Sequence, residues 1–151
     1  MSAKPLATNG ALGAGGEHLR ILVIDDDDIV REVMVDLLKR EGHQVSGLPS
    51  PIGATKHILD GHVQVVVIDV MMPSMRGDKL AALLSRNPKL KNLGVVLVTG
   101  VPTSELESIA EEVNAAAVVE KSELHEQLLP AVWRAVKTRA LRLSVPPLNG
   151  R

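Results

Sequence analysis

Short apolar runs recur along the chain from position 20 onward, each followed by a more polar segment. These runs have the length of strands, are rich in Val and Ile, and are bounded by polar residues or Gly, as is typical of β-strands. One of them is apolar on both faces, as expected for a central parallel strand that is covered on both sides. The pattern predicts five strands, at residues 20 to 25, 44 to 48, 63 to 69, 94 to 99 and 115 to 120.

The first two segments between these strands have the features of helices. Apolar residues at helical spacing predict a first helix from about Asp28, ended by Gly42 as a C-terminal cap. Ser50 and Pro51 are residue types suited to an N-cap and a first helical position. They predict the start of a second helix, which Gly61 is expected to end.

Three more helices are predicted in the second half of the chain. Two of them span residues 78 to 86 and 104 to 113. The last is predicted to begin after an N-cap at Ser122 and to reach about Leu143. Pro130 is expected to kink or restart this helix, because proline lacks the amide donor.

The alternation of strands and helices predicts the fold class. Five strands alternating with five helices indicate an α/β protein with a doubly wound parallel sheet. We expect the flavodoxin-like (βα)5 arrangement, with strand order 2-1-3-4-5. Residues 1 to 18 are expected to be a flexible arm, 19 to 143 the folded domain and 144 to 151 a tail.

Composition narrows the class of protein. The 151 residues suit one domain, and 45% hydrophobic residues suffice for a core. No apolar run approaches the roughly 20 residues of a membrane span, and the N-terminus lacks the apolar segment of a secretory signal, so we expect a cytoplasmic protein. The absence of cysteine excludes disulfides and thiolate chemistry.

The charge distribution does not favour nucleic acid as a partner. The C-terminal region from residue 130 is basic and contains no Asp or Glu, although the net charge of the chain is -1. Trp133 is the only aromatic residue of the Phe, Tyr and Trp types, so stacking on bases is not expected.

Residues suited to phosphate chemistry follow four of the predicted strands. Asp25 and Asp26 follow the first strand and Asp69 ends the third, so these carboxylates are expected to converge at the carboxyl edge of the sheet. Clustered carboxylates repel each other, and Mg²⁺ with its preference for hard oxygen ligands is the natural counter-ion. Asp69 is the expected nucleophile for a phosphoryl group, and Thr99 and Lys121 are expected to contact the phosphoryl oxygens.

These residues lie in motifs that resemble bacterial response-regulator receiver domains, over Arg20 to about Leu143. The four segments are ILVIDDDDIVRE, IDVMMPSMRG, VVLVTG and AAVVEKS. The resemblance implies that Asp25 and Asp26 are the acidic pair for Mg²⁺ and that Asp69 is the phosphorylated residue. It further implies a metal ligand at the backbone carbonyl of Met71, a switch hydroxyl at Thr99 and a phosphate-binding lysine at Lys121. A histidine kinase or phosphotransfer protein would be the donor.

Three positions depart from the pattern of receivers. Val118 stands where receivers commonly have a Tyr or Phe that turns inward on phosphorylation. Ser122 follows the lysine where a proline after a cis bond is usual, and Gly100 follows Thr99 where Ala is common.

The sequence leaves three functions to compare. The first is a stand-alone phospho-switch that signals to an effector protein through the surface of the fourth helix, fifth strand and fifth helix. The second is an interaction module on the same fold that works without phosphorylation, which the departure at Val118 keeps open. The third is a haloacid dehalogenase-type phosphatase, which needs a further acidic motif after the lysine; the last acidic residue here is Glu126, inside the final helix.

Overall fold

A computed structural model describes residues 17 to 144 of the chain, and within that range five parallel strands form one sheet. The strand order is β2-β1-β3-β4-β5, so the predicted doubly wound topology is confirmed. Of the predicted arm only residues 17 and 18 are described, and of the predicted tail only residue 144. The rest of both segments lies outside the described residues. The strands are β1 (Arg20–Ile24), β2 (Gln44–Leu48), β3 (Val65–Asp69), β4 (Gly94–Thr99) and β5 (Ala117–Glu120).

Helices cover both faces of this sheet. No helix between residues 17 and 144 is long and apolar enough to cross a membrane. Short 3-10 helices lie at Pro88–Leu90, Thr103–Glu105 and Lys121–Glu123. The α-helices are α1 (Asp28–Lys39), α2 (Ala54–Gly61), α3 (Gly77–Ser85), α4 (Glu107–Glu112) and α5 (Leu124–Ser144).

The core consists of two apolar layers, one on each face of the sheet. Alternate residues of β3 enter different layers, and all five residues of that strand are buried. Val66 and Ile68 join the layer that includes α2, α3 and α4, whereas Val65 and Val67 join the layer formed with α1 and α5. The run of apolar residues in β3 therefore follows from its central place, where neither face meets solvent.

The start of α1 agrees with a capping role for the Asp run. The Asp27 carboxylate accepts hydrogen bonds from the backbone N–H groups of Ile29 and Val30, at 2.9 and 3.1 Å. These are donors that the first turn of a helix leaves unpaired. At the other end α1 stops at Lys39, and Gly42 adopts a φ of 93° in the turn toward β2.

The predicted start of α2 was wrong. Ser50 and Pro51 lie in a turn in which the Ser50 hydroxyl accepts a hydrogen bond from Ile52 N–H, and the helix starts three residues beyond Pro51, at Ala54. Gly53, with φ of 81°, takes the cap position, because it adopts a left-handed conformation at little cost. The predicted end agrees with the structure: Gly61 is the last helical residue, and His62 takes the C-cap position with φ of 52°.

The start of α5 also differs from the prediction. Ser122 lies in a 3-10 turn rather than capping the helix, and α5 continues through Pro130 without the expected restart. Pro130 is exposed, whereas Leu128 and Val132 on the buried face pack against the sheet. This packing stabilises the helix across the position where proline removes one hydrogen bond.

Three further elements, one helix and two strands, are also shorter than predicted. The segment expected to form the fourth helix divides into the 3-10 turn and the six residues of α4. Strands β3 and β5 begin two residues later than their apolar runs suggested. The peptide bonds of the described residues are all trans, including the one between Lys121 and Ser122.

A buried histidine lies at the amino edge of the sheet. The Nδ1 atom of His43 accepts a hydrogen bond from Leu19 N–H at 3.1 Å. Its ring meets Trp133 of α5 edge to face, with centroids 5.6 Å apart. Burial, followed by repulsion from His18, lowers the pKa of His43 below its ordinary value of 6.5. His43 is therefore a neutral core residue.

Candidate functional site

Three carboxylates meet at the carboxyl edge of the sheet, where β1 and β3 end side by side. Asp25, Asp26 and Asp69 each place an oxygen within 4.8 Å of the others. Strands β1 and β3 are paired with Ile24 opposite Ile68, which brings the residues after them together. The convergence predicted from the order of the strands is therefore present.

Asp25 is completely buried and held in place on three sides. Its Oδ1 accepts a hydrogen bond from Asp27 N–H at 2.9 Å, and its backbone carbonyl accepts one from the Arg31 guanidinium at 2.7 Å. Its backbone N–H donates to the Leu48 carbonyl of β2. Oδ2 is shielded from solvent and accepts no hydrogen bond, but it faces the Lys121 ammonium group at 3.3 Å. Asp26, in contrast, is exposed at the mouth of the site.

Asp69 is held by its neighbours in the same manner. It is 1% exposed, and its Oδ1 accepts a hydrogen bond from Met71 N–H at 3.2 Å. Its Oδ2 is buried without a hydrogen-bond partner. The structure therefore presents two buried carboxylate oxygens, Oδ2 of Asp25 and Oδ2 of Asp69, that accept no hydrogen bond, and the first of them lies beside the Lys121 ammonium group. Such oxygens are costly to bury without a donor or a cation.

Gly77 allows the segment after Asp69 to fold back on the strand. Its N–H donates to the Val70 carbonyl at 2.8 Å, at the start of α3. A Cβ atom at this position would lie 2.1 Å from the Asp69 carbonyl oxygen. Glycine is required here because no side chain fits, which explains the glycine of the acceptor motif; sequence reasoning recorded it only as part of that motif.

Lys121 lies between the two buried acids. Its Nζ is 3.3 Å from Asp25 Oδ2 and 3.4 Å from Asp69 Oδ1. The 3-10 turn that begins at Lys121, directly after β5, places the side chain over the neighbouring strand ends. Burial lowers the pKa of Lys121, but attraction to Asp69 and Asp25 outweighs it and raises the pKa above its ordinary value of 10.5. Lys121 is therefore a fixed positive charge in this site.

The pKa of Asp69 is changed by its burial and by the charged groups beside it. Burial, followed by repulsion from Asp25, raises its pKa to about 6, although Lys121 and the Met71 N–H act in the opposite direction. Desolvation and like charge thus dominate over the nearby ammonium group. At neutral pH Asp69 is still mainly ionised and able to act as a nucleophile.

Thr99 ends β4 on the same edge and is completely buried. Its Oγ1 accepts a hydrogen bond from Val101 N–H at 3.0 Å. A hydroxyl that accepts one bond retains its own O–H to donate. Thr99 is therefore able to donate a hydrogen bond at the strand ends.

The switch position is occupied without an aromatic group. Val118 of β5 is half-buried, lies opposite Leu97 and packs against the layer that includes α3 and α4. Two residues further along β5, the Glu120 carboxylate accepts a hydrogen bond from Thr103 N–H at 3.3 Å, a contact that the sequence did not predict. This contact joins the end of β5 to the segment before α4.

The residues at the strand ends fit a magnesium ion. Three carboxylates and one ammonium group leave a net charge of about -2, which a divalent cation neutralises. The buried oxygens of Asp25 and Asp69 are hard ligands, and the exposed Asp26 completes a partial set that leaves places for water and phosphate. Met71 contributes its N–H to Asp69, and a ligand role for its carbonyl stays a prediction.

Comparison with known proteins identifies the family. The model of the response regulator receiver domain matches residues 21 to 133. Protein PilG of Pseudomonas aeruginosa is 30% identical over 83 residues, which cover 55% of this chain and 62% of PilG. The probable transcriptional regulatory protein TcrX of Mycobacterium tuberculosis is 34% identical over 87 residues, covering 57% of this chain and 36% of TcrX. In both cases the match spans less than two thirds of the relative.

Solved structures support the same fold. The chemotaxis protein CheY4 of Vibrio cholerae superposes with a TM-score of 0.72 at 21% identity, covering 79% of this chain and 99% of that one. The signal receiver domain of an HD domain-containing protein from Pseudomonas fluorescens gives 0.73 at 20% identity, covering 83% and 99%. Together with the match over most of its length, these findings show that the chain belongs to the family of response regulator receiver domains of two-component signalling.

Proposed function

We propose that this receiver is a phospho-switch that accepts a phosphoryl group on Asp69 and signals through protein contacts. The observation that carries the proposal is the placement of Lys121 between Asp25 and Asp69, each of which has a buried oxygen without a hydrogen-bond partner. Such a site combines buried carboxylate oxygens that accept no hydrogen bond with a lysine ammonium group, next to a nucleophile. Binding of a cation and a phosphoryl group would satisfy all of them.

The proposed reaction moves one phosphoryl group from a donor histidine. A carboxylate oxygen of Asp69 attacks phosphorus, an O–P bond forms, and the P–N bond of the phosphohistidine breaks. The electron pair of that bond returns to the imidazole nitrogen, which takes up a proton as it leaves. Mg²⁺, held by Asp25, Asp26, Asp69 and the Met71 carbonyl, would supply charge neutralisation at the phosphoryl oxygens.

The other residues of the site would then change partners. Lys121 would exchange its contact with Asp69 for a phosphoryl oxygen, because phosphorylation consumes one carboxylate charge and adds a doubly charged group. The Thr99 hydroxyl would donate to a second phosphoryl oxygen. Movement of Thr99 would alter the segment up to Thr103, which Glu120 joins to β5. We infer that this segment, α4, β5 and α5 form the effector surface.

Apolar side chains around the acidic site would suit a protein donor. Ile29, Ile52 and Met71 are 75%, 78% and 53% exposed, and they follow β1, β2 and β3 at the same edge of the sheet. Exposed apolar side chains grouped around a charged site favour contact with a protein surface. A histidine kinase or a phosphotransfer protein is the partner proposed here, and a cytoplasmic location is part of the same proposal.

Phosphorylation by a small donor tests this function. The protein is incubated with Mg²⁺ and acetyl phosphate, and its intact mass is measured. We expect one added phosphoryl group, lost in Asp69→Asn and retained in Asp36→Asn, a control at an exposed carboxylate of α1. Removal of Mg²⁺ with a chelator should abolish the adduct.

Other outcomes of this experiment would favour the competing functions. A protein that neither binds Mg²⁺ nor forms an adduct would be an interaction module that works without phosphorylation. Sustained hydrolysis of p-nitrophenyl phosphate, with no stable adduct, would indicate a phosphatase.

A further inference from the structure

The edge of the sheet opposite the carboxylates contains a basic cleft. It has a volume of about 280 Å³ and lies beside the starts of β1, β3 and β4. Its charged and titratable lining comes from four separate elements or loops: Arg20, His62, Lys89 and Arg139. No Asp or Glu is among the described residues that line it. The rest of its surface is formed by the polar amides Gln64 and Asn92 and by five apolar residues, Ile58, Leu59, Val63, Leu90 and Leu93.

The positive charges of this cleft have no carboxylate partner among the described residues. None of the ion pairs between residues 17 and 144 involves Arg20, Lys89 or Arg139. The remaining parts of the chain, residues 1 to 16 and 145 to 151, contain no Asp or Glu side chain. The cations of the cleft therefore have no internal counter-charge, and among them the half-buried Arg139 is the one for which this costs most.

Arg20 and Arg139 differ in their hydrogen bonding. Arg20 Nε donates to the His62 backbone carbonyl at 3.0 Å, which fixes the guanidinium and leaves its terminal N–H groups available. Arg139 Nε is shielded from solvent and has no hydrogen-bond partner. A shielded guanidinium N–H without an acceptor is destabilising unless a ligand supplies one.

We propose that this cleft is a second anion site, which binds the diphosphate group of a small molecule. Guanidinium groups match the geometry of phosphate oxygens, and two arginines with a lysine balance the charge of a diphosphate. The concave shape and small number of cations favour a small ligand over a nucleic acid, and no Phe, Tyr or Trp lines the cleft for stacking on bases. The site is separate from Asp69 and does not depend on the proposed phosphorylation.

Calorimetric titration with inorganic pyrophosphate tests this site. Divalent metals are left out, and the titration is repeated in Asp69→Asn, so that binding at the acidic edge does not contribute. We expect Arg139→Gln and Lys89→Gln each to weaken binding at least about tenfold, because each removes a charge-assisted contact. Arg134→Gln removes an exposed charge from the same helix, outside the cleft, and should change affinity less than about twofold.

Two results would overturn the proposal. One is the absence of binding heat at millimolar pyrophosphate. The other is equal weakening by all three substitutions, or by matched ionic strength of sodium chloride, which would indicate diffuse attraction to the basic surface. Lys89 is exposed, so Lys89→Gln provides the test even if Arg139→Gln impairs folding.

Discussion

Opposing electrostatic influences meet at Asp69. Burial and the Asp25 carboxylate disfavour its charge, while Lys121 and the Met71 N–H favour it, and the pKa settles at about 6. In an unfolded chain the same carboxyl group titrates near 3.8. Folding therefore holds the proton of Asp69 more tightly, so ionisation of this group opposes folding.

Substituting Asp69→Asn should stabilise the metal-free protein at neutral pH. The contribution of Asp69 to stability is fully present below pH 3.8 and is lost as pH rises through about 6. Removing the charge should raise the free energy of unfolding at neutral pH by about 1 to 3 kcal/mol, since two pKa units correspond to about 3. Urea unfolding followed by far-UV circular dichroism measures this difference.

Magnesium should reverse the effect of Asp69→Asn. Saturating Mg²⁺ should raise the free energy of unfolding of the unsubstituted protein more than that of Asp69→Asn. The reason is that the bound metal neutralises the Asp69 carboxylate, whose charge opposes folding when no metal is present. Asp36→Asn serves as the control, with little change in either condition because its carboxylate is exposed. A variant no more stable than the native protein without metal would contradict the argument.

The close packing around Gly77 leaves no room for a side chain, which leads to a second prediction about a single residue. Gly77→Ala should destabilise the protein by about 2 to 4 kcal/mol, because the new Cβ overlaps the Asp69 carbonyl and the chain must shift. It should also weaken Mg²⁺ binding, since Asp69 moves with its backbone. Denaturant unfolding and calorimetric metal titration measure the two effects.

Gly61→Ala is the matched control for Gly77→Ala. Gly61 is the last residue of α2, and the nearest atom to an added Cβ is 3.7 Å away on Val63, an ordinary contact. This substitution should leave stability within about 1 kcal/mol, on the stabilising side, because alanine restricts the unfolded chain. Equal losses at both glycines would show that close contact with Asp69 is not the cause.

At the scale of the elements, helix α5 contains a proline, Pro130, in its interior. Pro130 is exposed in its interior, and it cannot donate to the carbonyl four residues before. Pro130→Ala should therefore stabilise the protein by about 1 to 3 kcal/mol, measured by denaturant unfolding. Pro88 starts a 3-10 helix, where proline is favourable, so Pro88→Ala should give no gain.

The helix ends also show which features the sequence predicts and which it does not. The strand β4 was predicted at its observed ends, because a buried parallel strand is one continuous apolar run. The start of α2 was wrong because Ser50 and Pro51 suit a turn as well as a cap, and only tertiary structure selects Gly53. Likewise, the continuity of α5 through Pro130 depends on the packing of its other face.

The candidate site, like the ends of the helices and strands, could be predicted from the sequence only in part. The placement of Asp25, Asp69, Thr99 and Lys121 at one edge of the sheet followed from the ends of parallel strands. The observed distances bring Asp25, Asp69 and Lys121 together, whereas the roles of all four residues stay predictions. The contact between Glu120 and Thr103 was not predictable, because it joins residues 17 positions apart, at the two ends of a segment that contains α4 and β5. Local patterns carry no information on such pairs.

At the scale of the whole molecule, the sheet separates two electrostatic environments. Its carboxyl edge is acidic around Asp69, and its amino edge has the basic cleft and the neutral His43. The two edges therefore respond to pH in opposite directions. Acidification relieves the repulsion at Asp69 but forces a charge onto His43 or unfolds its surroundings.

Stability in the Asp69→Asn background should fall with acidification because of His43. The pKa of this group is lowered by burial and by the neighbouring His18, so its contribution is present above pH 6.5 and is lost as pH falls through the lower value of the folded state. Unfolding experiments at about pH 7.5 and 5.5 should show a smaller loss in His43→Gln. His125→Gln, at an exposed position of α5, should behave like the parent.

The pairing of Trp133 with His43 gives the protein a single optical reporter. With no Phe or Tyr in the sequence, intrinsic emission comes from one indole, in α5 at the amino edge of the sheet. A phosphoryl group on Asp69, at the opposite edge, has no direct contact through which to quench it. Any change in the emission of Trp133 on phosphorylation would therefore be a signal that has already crossed the sheet to α5, read without an added label.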